Sequence, residues 1–124
     1  MKFLGTFEAH AYVLMRVVFG FLICCHGIQK LFGGLGGTKA TAALFIFGGI
    51  VEFGGGLLTA IGFQTRIAAF LVSGMMAVAY FTAHAKGGFF PIVNHGELAV
   101  AYCFCFLYIA TRGVGTWGVD KSGS

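Results

Sequence analysis

The sequence predicts an all-α membrane protein, folded as an antiparallel four-transmembrane-helix bundle. Three observations carry that expectation. Only 10% of the 124 residues are charged while 58% are hydrophobic, and the mean hydropathy is +0.90. A soluble domain carries about 25% charged residues, so this chain lacks the polar groups to cover a water-facing surface. A globule this small also has too little interior to bury so much apolar sequence. The second observation is four apolar stretches near the roughly 20 residues that a spanning helix needs. The third is that none of them alternates polar with apolar residues, as a barrel strand would. The length allows one membrane domain, residues 1–124, with no room for a soluble module beside it.

The first stretch runs over residues 12–32 and the second over 40–63; the third covers 65–83 and the fourth 96–111. Lys2 precedes the first, as in a signal peptide, but the run is too long for one and contains Arg16, so it reads as a retained span. "GGLGGTK" makes a flexible turn after the first span, and "GFQTR" a tight hairpin between the second and third. "HAKGGFFPIVNHG" holds the sole proline, Pro91, and is the one loop long enough for structure of its own. The tail "RGVGTWGVDKSGS" is polar and glycine-rich, with Trp117 suited to a membrane interface. Lys2, Arg66, Arg112 and Lys121 fall on one side of such a bundle, and Lys30, Lys39 and Lys86 on the other. The basic excess in short loops therefore leans toward both termini cytoplasmic in an inner membrane. The net charge of +4 suits an anionic leaflet and calls for no nucleic acid.

Ionisable residues inside spans are costly and turn toward a bundle interior or a wet cavity. At about 100° per residue, Arg16, Gly20, Gly27 and Lys30 share a face of the first span, with His26 at its flank. Gly48, Glu52, Gly55, Gly56 and Thr59 share a face of the second. The same rotation groups Arg66, Ser73, Ala77, Tyr80 and His84 on the third, and Glu97, Ala101, Phe104, Tyr108 and Thr111 on the fourth. Small residues let membrane helices approach closely, so the glycines around Glu52 would bring a neighbour against the carboxylate.

Depth suggests the partner of that acid. Arg16 lies roughly 7 Å into the first span and Glu52 roughly 15 Å from the end of the second on the same side. Long side chains could close that gap, so an Arg16–Glu52 pair is expected, either as a structural salt bridge or as a proton or anion site near the midplane. Toward the opposite side, His26, Lys30, His84, His95 and Glu97 are expected at similar depth. Imidazoles and a carboxylate can bind metal or haem, but no H-x-x-x-H or H-E-x-x-H spacing is present, and both are disfavoured. Proton handling or hydrogen bonding to a polar headgroup such as a quinone carbonyl suits the set better; water alone would also satisfy His95. Cys24-Cys25 and Cys103-x-Cys105 are not the C-x-x-C of a dithiol site. They read as small apolar residues, with Cys103 toward lipid and Cys105 beside the polar stripe; thiol exchange with a quinone is the minor alternative.

Taken in order, these residues resemble the DoxX family of small four-helix membrane proteins, over nearly the whole chain. The likeness lies in "RVVFGFLICCHGIQKLFGG", with Arg16, Gly20, His26, Gly27 and Lys30, and in "VEFGGGLLTAIGFQTRIAA", with Glu52, Gly54, Gly55 and Arg66. It continues in His84, in "HGELAVAY" with Gly96 and Glu97, and in "GVGTWGVD" with Asp120. The family takes its name from a small subunit associated with a thiosulfate:quinone oxidoreductase, and relatives are linked to oxidative-stress defence. The resemblance implies membrane oxidoreductase chemistry; the cysteines lie outside the matched pattern and inherit no role.

The combined expectation is a subunit of a redox or respiratory assembly with a polar intramembrane pocket. Glu52, His26 and Glu97 would exchange protons there, and Arg16, Lys30 and His84 would hold a quinone or similar ligand. No residue set here moves electrons alone, so oxidoreductase partner subunits are implied beside the lipid bilayer, with self-association into a homo-oligomer as a further option. The rival is a non-catalytic scaffold or docking subunit. A small proton-coupled transporter ranks last, because neither duplicated halves nor broken helices are evident.

Overall fold

The computed structural model describes residues 2–124, and every regular element among them is helical. A short α1 (Lys2–Gly5) precedes α2 (Glu8–Phe32), α3 (Ala43–Ile61) and α4 (Thr65–Ala79). Helix α4 runs on through a π-helical turn, Tyr80–His84, and a 3-10 turn, Ala85–Gly87. A single turn, α5 (Pro91–Asn94), then leads into α6 (Glu97–Arg112). By length and composition three segments can cross a membrane: Glu8–Phe32, Ala43–Ile61 and Thr65–Gly87. Helix α6 has 16 residues, about 24 Å of rise, which is short of a hydrocarbon core about 30 Å thick.

All four expected apolar stretches are helical, with shifted ends. Helix α2 starts at Glu8 rather than at residue 12, its acidic first turn suited to the positive end of the helix dipole. Helix α3 is shorter than the 40–63 stretch and stops where Gly62 takes up φ +75°. That left-handed conformation suits glycine, and a Cβ there would lie 2.7 Å from Arg16 Nη1.

The start of α2 meets the end of α3, where Arg16 reaches Thr59 and Ala60, and the start of α4 meets the end of α6, where Arg66 reaches Ala110 and Thr111. In α2 and α3 the approach is between backbones: a Cβ on Gly20 would sit 2.6 Å from Ala60 N, and one on Gly56 would sit 2.6 Å from Gly20 O. Any larger residue would push the helices apart, which is how small residues replace the hydrophobic drive inside a bilayer. Helices α4 and α6 are tied by the Ser73 hydroxyl donating to Cys103 O at 2.7 Å, and by Arg66 Nη1 donating to Ala110 O at 3.1 Å and Thr111 O at 2.5 Å. The core runs through Ile23, Ala69, Val72, Met76, Tyr102, Phe106 and Ile109. Outward positions such as Leu14, Phe21, Phe70 and Phe104 are exposed, as a lipid-facing surface requires.

Two of the expected faces are corrected. On α4 the inward residues are Ala68, Ala69, Val72, Ser73, Met75 and Met76, while Arg66 points out. On α6 they are Ala99, Tyr102, Phe106 and Ile109; Glu97, Ala101, Phe104, Tyr108 and Thr111 are exposed. The polar residues of α6 sit at its ends, where water and headgroups reach them, so its polar stripe does not mark the packed face. Cys103 packs against Ser73 rather than standing free in lipid, and Cys105 Sγ approaches Met15 Sδ at 3.8 Å across the α2–α6 seam.

The tail after α6 straps the opposite end of the bundle. Val119 N donates to Ile61 O at 3.1 Å and Asp120 N to Gly62 O at 2.7 Å. The Asp120 carboxylate in turn accepts from Gln64 N, Thr65 N and Thr65 Oγ1 at 2.8–2.9 Å, satisfying the orphan amides that open α4. The Thr65 amide, aided by the Gln64 amide, the Thr65 hydroxyl and the Arg16 charge, holds this carboxyl below its ordinary value against a weaker opposing effect of burial. A depressed native value stabilises the fold above the unfolded carboxyl's pKa of about 3.9, and that contribution is lost as pH falls through the native value. Asp120→Ala is therefore expected to lower the melting temperature at neutral pH. The gap to the parent protein should close as the scan is repeated at progressively more acid pH; a gap constant with pH would remove the charge from this cap.

Candidate functional site

Between α2, α3, α4 and α6 lies a cavity of about 270 Å³. Its polar wall is built from His26 and Lys30 on α2, Glu52 on α3, His84 in the π-helical turn, His95 just before α6, and Tyr102 on α6. Ile23, Met76, Ala79, Leu98 and Ala99 supply the apolar wall. Glu52 is the tenth of the 19 residues of α3, about 14 Å of rise from either end, and is 2% exposed. It is not alone: Lys30 Nζ donates to Glu52 Oε2 at 2.5 Å. Lys30 lies near the end of α2, 30% of its side chain still exposed, so its stem runs along the helix to bring the ammonium down to the acid.

The π-helical turn sets His84. One residue more per turn rotates the downstream side chains relative to a continued α-helix, and such turns recur at functional sites. His95 arrives differently. It ends α5 at φ +62°, a left-handed conformation in which His is one of the less rare side chains. Its neighbour Asn94 is buried and ties the segment down, donating to Tyr80 Oη at 2.9 Å and Gly88 O at 3.0 Å and accepting from Gly96 N at 2.8 Å. Tyr102 stands edge-on to His26, ring centroids 5.9 Å apart, and edge-on to Phe19 on its other side. The three imidazoles and the Tyr102 hydroxyl all belong to residues of the cavity wall, whereas the buried side-chain atoms without a partner among the described residues, Arg16 Nε and Thr59 Oγ1, lie outside it. Nor do any three His, Cys, Asp or Glu side chains among them stand close enough together to hold a metal ion.

Of the six residues expected at the site, four meet here: His26, Lys30, Glu52 and His84. Arg16 and Glu97 do not. Arg16 is fully buried far from the cavity, its Nη1 donating to Thr59 O at 2.6 Å and Ala60 O at 3.2 Å and its Nη2 donating to Trp117 O. It therefore caps the carbonyl end of α3 and clamps the tail, and the expected Arg16–Glu52 pair is replaced by Lys30–Glu52. The reason is direction as much as depth. Helical side chains lean toward the N-terminus of their own helix, so Lys30 reaches inward along α2 while Arg16 leans away from Glu52. Glu97 is exposed in the first turn of α6 and is absent from the cavity wall. Tyr102 went unnoticed in the sequence. The spacing of Ala99, Tyr102, Phe106 and Ile109, three or four residues apart, is the signal that would have placed it inward.

A second depression of about 580 Å³ lies on the outer side of α4 and α6, lined by Tyr80, Phe81, Phe89, Pro91 and Phe104 among others. Its lining has Tyr80 and Cys103 but no charged side chain and no imidazole, so of the two the smaller cavity is the one that gathers imidazoles around an ion pair.

Comparison with known proteins identifies the family. The DoxX family model matches residues 11–85, the segment from the start of α2 through the π-helical turn. An uncharacterized protein of Haemophilus influenzae is 34% identical over 129 aligned positions, covering 98% of this chain and 96% of its own length. No solved structure matches. With three helices apolar and long enough to cross a bilayer and a family model matched over most of the chain, this is an integral membrane protein, and it belongs to the DoxX family.

Proposed function

We propose that the cavity binds the headgroup of a quinone or a similar polar-headed amphiphile and exchanges its protons, within a redox assembly of the inner membrane. In this reading α2, α3, the α4 segment and α6 all cross the bilayer as an antiparallel four-transmembrane-helix bundle, with both termini cytoplasmic. The observation that carries it is the convergence of a Lys–Glu pair, three imidazoles and a tyrosine hydroxyl on one otherwise apolar cavity, which runs from Glu52 at the middle of α3 toward the helix ends at Lys30, His84 and His95. A volume of about 270 Å³ falls below that of sites enclosing a whole drug-sized ligand, roughly 300–1,000 Å³. It suits a single ring, with the rest of an amphiphile left outside among lipid.

The chemistry follows from the donor set. A quinone carbonyl needs hydrogen-bond donors, which Lys30, Tyr102 and the imidazoles supply. Reduction to the quinol takes up a pair of electrons and a pair of protons. Histidine is the side chain whose ordinary pKa suits proton exchange near neutrality, and a proton moving within the Lys30–Glu52 pair, from ammonium to carboxylate, leaves both groups neutral and creates no isolated charge. Nothing in the chain itself carries electrons, so an oxidoreductase partner subunit supplies or removes them.

The test is direct. Protein purified in mild detergent is expected to carry extractable quinone, and Tyr102→Phe to weaken rebinding by about tenfold, the worth of one buried hydrogen bond. A quinone-free preparation that will not rebind added quinone, together with a fully functional Glu52→Gln variant, would instead identify a scaffold subunit.

A further inference from the structure

We infer that the ligand reaches this cavity sideways from the bilayer, through an unzipped stretch of the seam between α2 and α6, with Leu98 as the gate. The inference rests on the quinone reading and adds the route.

The four sides of the bundle are closed to different extents, α3 and α4 meeting where a Cβ on Gly55 would sit 2.6 Å from Val72 Cγ2. Helices α2 and α3 touch backbone to backbone at Gly20 and Gly56, and Ser73 and Arg66 tie α4 to α6. The seam between α2 and α6 is closed along one part of its length only. From the tail end upward it is zipped by the Arg112–Glu8 ion pair, by Tyr12 donating to Gly113 O at 2.5 Å, by Met15 against Cys105, and by Phe19 and His26 against Tyr102. Tyr102 is also the cavity's inner wall. Beyond it, where α2 continues to Lys30 and α6 begins, the side chains facing across the seam are cavity-lining residues rather than partners of one another.

Exposure locates the mouth at the same place. Among the lining residues Ile23, Glu52, Met76, Ala99 and Tyr102 are buried, whereas Leu98 is 54% exposed and His95 is also exposed. Leu98 lies in the first turn of α6 and His95 just before it. The bundle's end beside them is occupied by the segment from His84 to His95, which Asn94 pins against Tyr80, Gly88 and Gly96. A molecule coming along the bundle axis meets that segment; one coming from the side meets the half-exposed apolar side chain of Leu98. Among the described residues Leu98 is the only apolar one of the lining with half its surface open, so it discriminates in favour of ligands that arrive already dissolved in lipid.

Photolabelling of the full chain in lipid vesicles tests this, with an azido-benzoquinone bearing a decyl tail as probe and the labelled peptides mapped at successive times. The parent protein should label in the peptides carrying His26, His84 and Tyr102. Leu98→Trp should slow labelling by at least about tenfold, because narrowing a portal lowers the rate of entry, yet reach a similar endpoint, which also shows that the variant is folded. Leu98→Ala should label faster, and Ile92→Trp, on the exposed face of α5 away from the cavity, should match the parent. A parent protein that never labels at the cavity overturns the quinone reading and this route with it. Cavity labelling whose rate is the same in Leu98→Trp overturns the route alone.

Discussion

Replacing Lys30 with methionine is expected to cost about 3–5 kcal/mol of stability, because it leaves a buried carboxylate without its counter-charge. Glu52 is 2% exposed at the middle of α3, and the Lys30 ammonium 2.5 Å away is the only cation that reaches it among the described residues. The comparison that matters is the double variant. If Lys30→Met and Glu52→Leu are combined, neither charge of the pair is left in the cavity, and most of the lost stability should return. Chemical unfolding in mild detergent, run as a double-mutant cycle, measures the coupling directly. A single-variant loss under about 1 kcal/mol would mean that the pair behaves like one in water. The same cycle with Arg16→Met in place of Lys30→Met should give additive losses, since Arg16 bonds to backbone carbonyls elsewhere.

Arg16→Met is expected to be as damaging and to act at the other end of the molecule. The guanidinium is fully buried and serves Thr59 O and Ala60 O at the end of α3 together with Trp117 O in the tail. Removing it strands three carbonyls, at about 1–3 kcal/mol for each that stays buried without a donor. The carbonyl end of α3 also loses the cation that its dipole favours. Trp117 is the sole tryptophan, so its fluorescence reports the event: release of the tail should shift its emission and lower its anisotropy, alongside a lower unfolding midpoint. Arg16→Lys should rescue little, because one ammonium cannot span three carbonyls that a planar fork reaches together. An unchanged Trp117 signal in Arg16→Met would show that the tail is held without the clamp.

These two residues show where reading the sequence stopped short. Arg16 and Glu52 are both ionisable groups within apolar runs, and pairing them minimises the number of unpaired charges. What that reasoning leaves out is the alternative open to an arginine near a helix end. It can neutralise its cost on backbone carbonyls of a neighbouring helix, which no side-chain inventory contains. Lys30 is legible as a cavity residue, but its reach down the helix to Glu52 depends on the lean of helical side chains.

The third and fourth helices teach a related lesson. Grouping polar residues by angle worked on α2 and α3, where charges and glycines are truly interior. It failed on α6, because Glu97, Tyr108 and Thr111 lie close to the helix ends and meet water or headgroups without facing inward. The apolar face of α6 carries the core and also Tyr102, a cavity residue whose hydroxyl makes it chemically useful without making it conspicuous. His84 and His95 depend on local backbone, a π-helical turn and a left-handed residue, that neither periodicity nor composition specifies.

What the chain alone determined is its solvent and its elements. With 10% charged residues it cannot be wetted all round, and in a bilayer the backbone of such segments must satisfy its hydrogen bonds internally, which makes them helices. The presence of a buried acid and a set of imidazoles was equally plain, because intramembrane ionisable groups are few and costly. Only the tertiary structure decided which cation meets that acid, which face of α6 turns inward, and that His26, Lys30, Glu52, His84, His95 and Tyr102 share one cavity. Those outcomes depend on differences of a few ångströms in helix offset and rotation. Such differences arise from close packing between separate segments, and no local stretch of sequence encodes them.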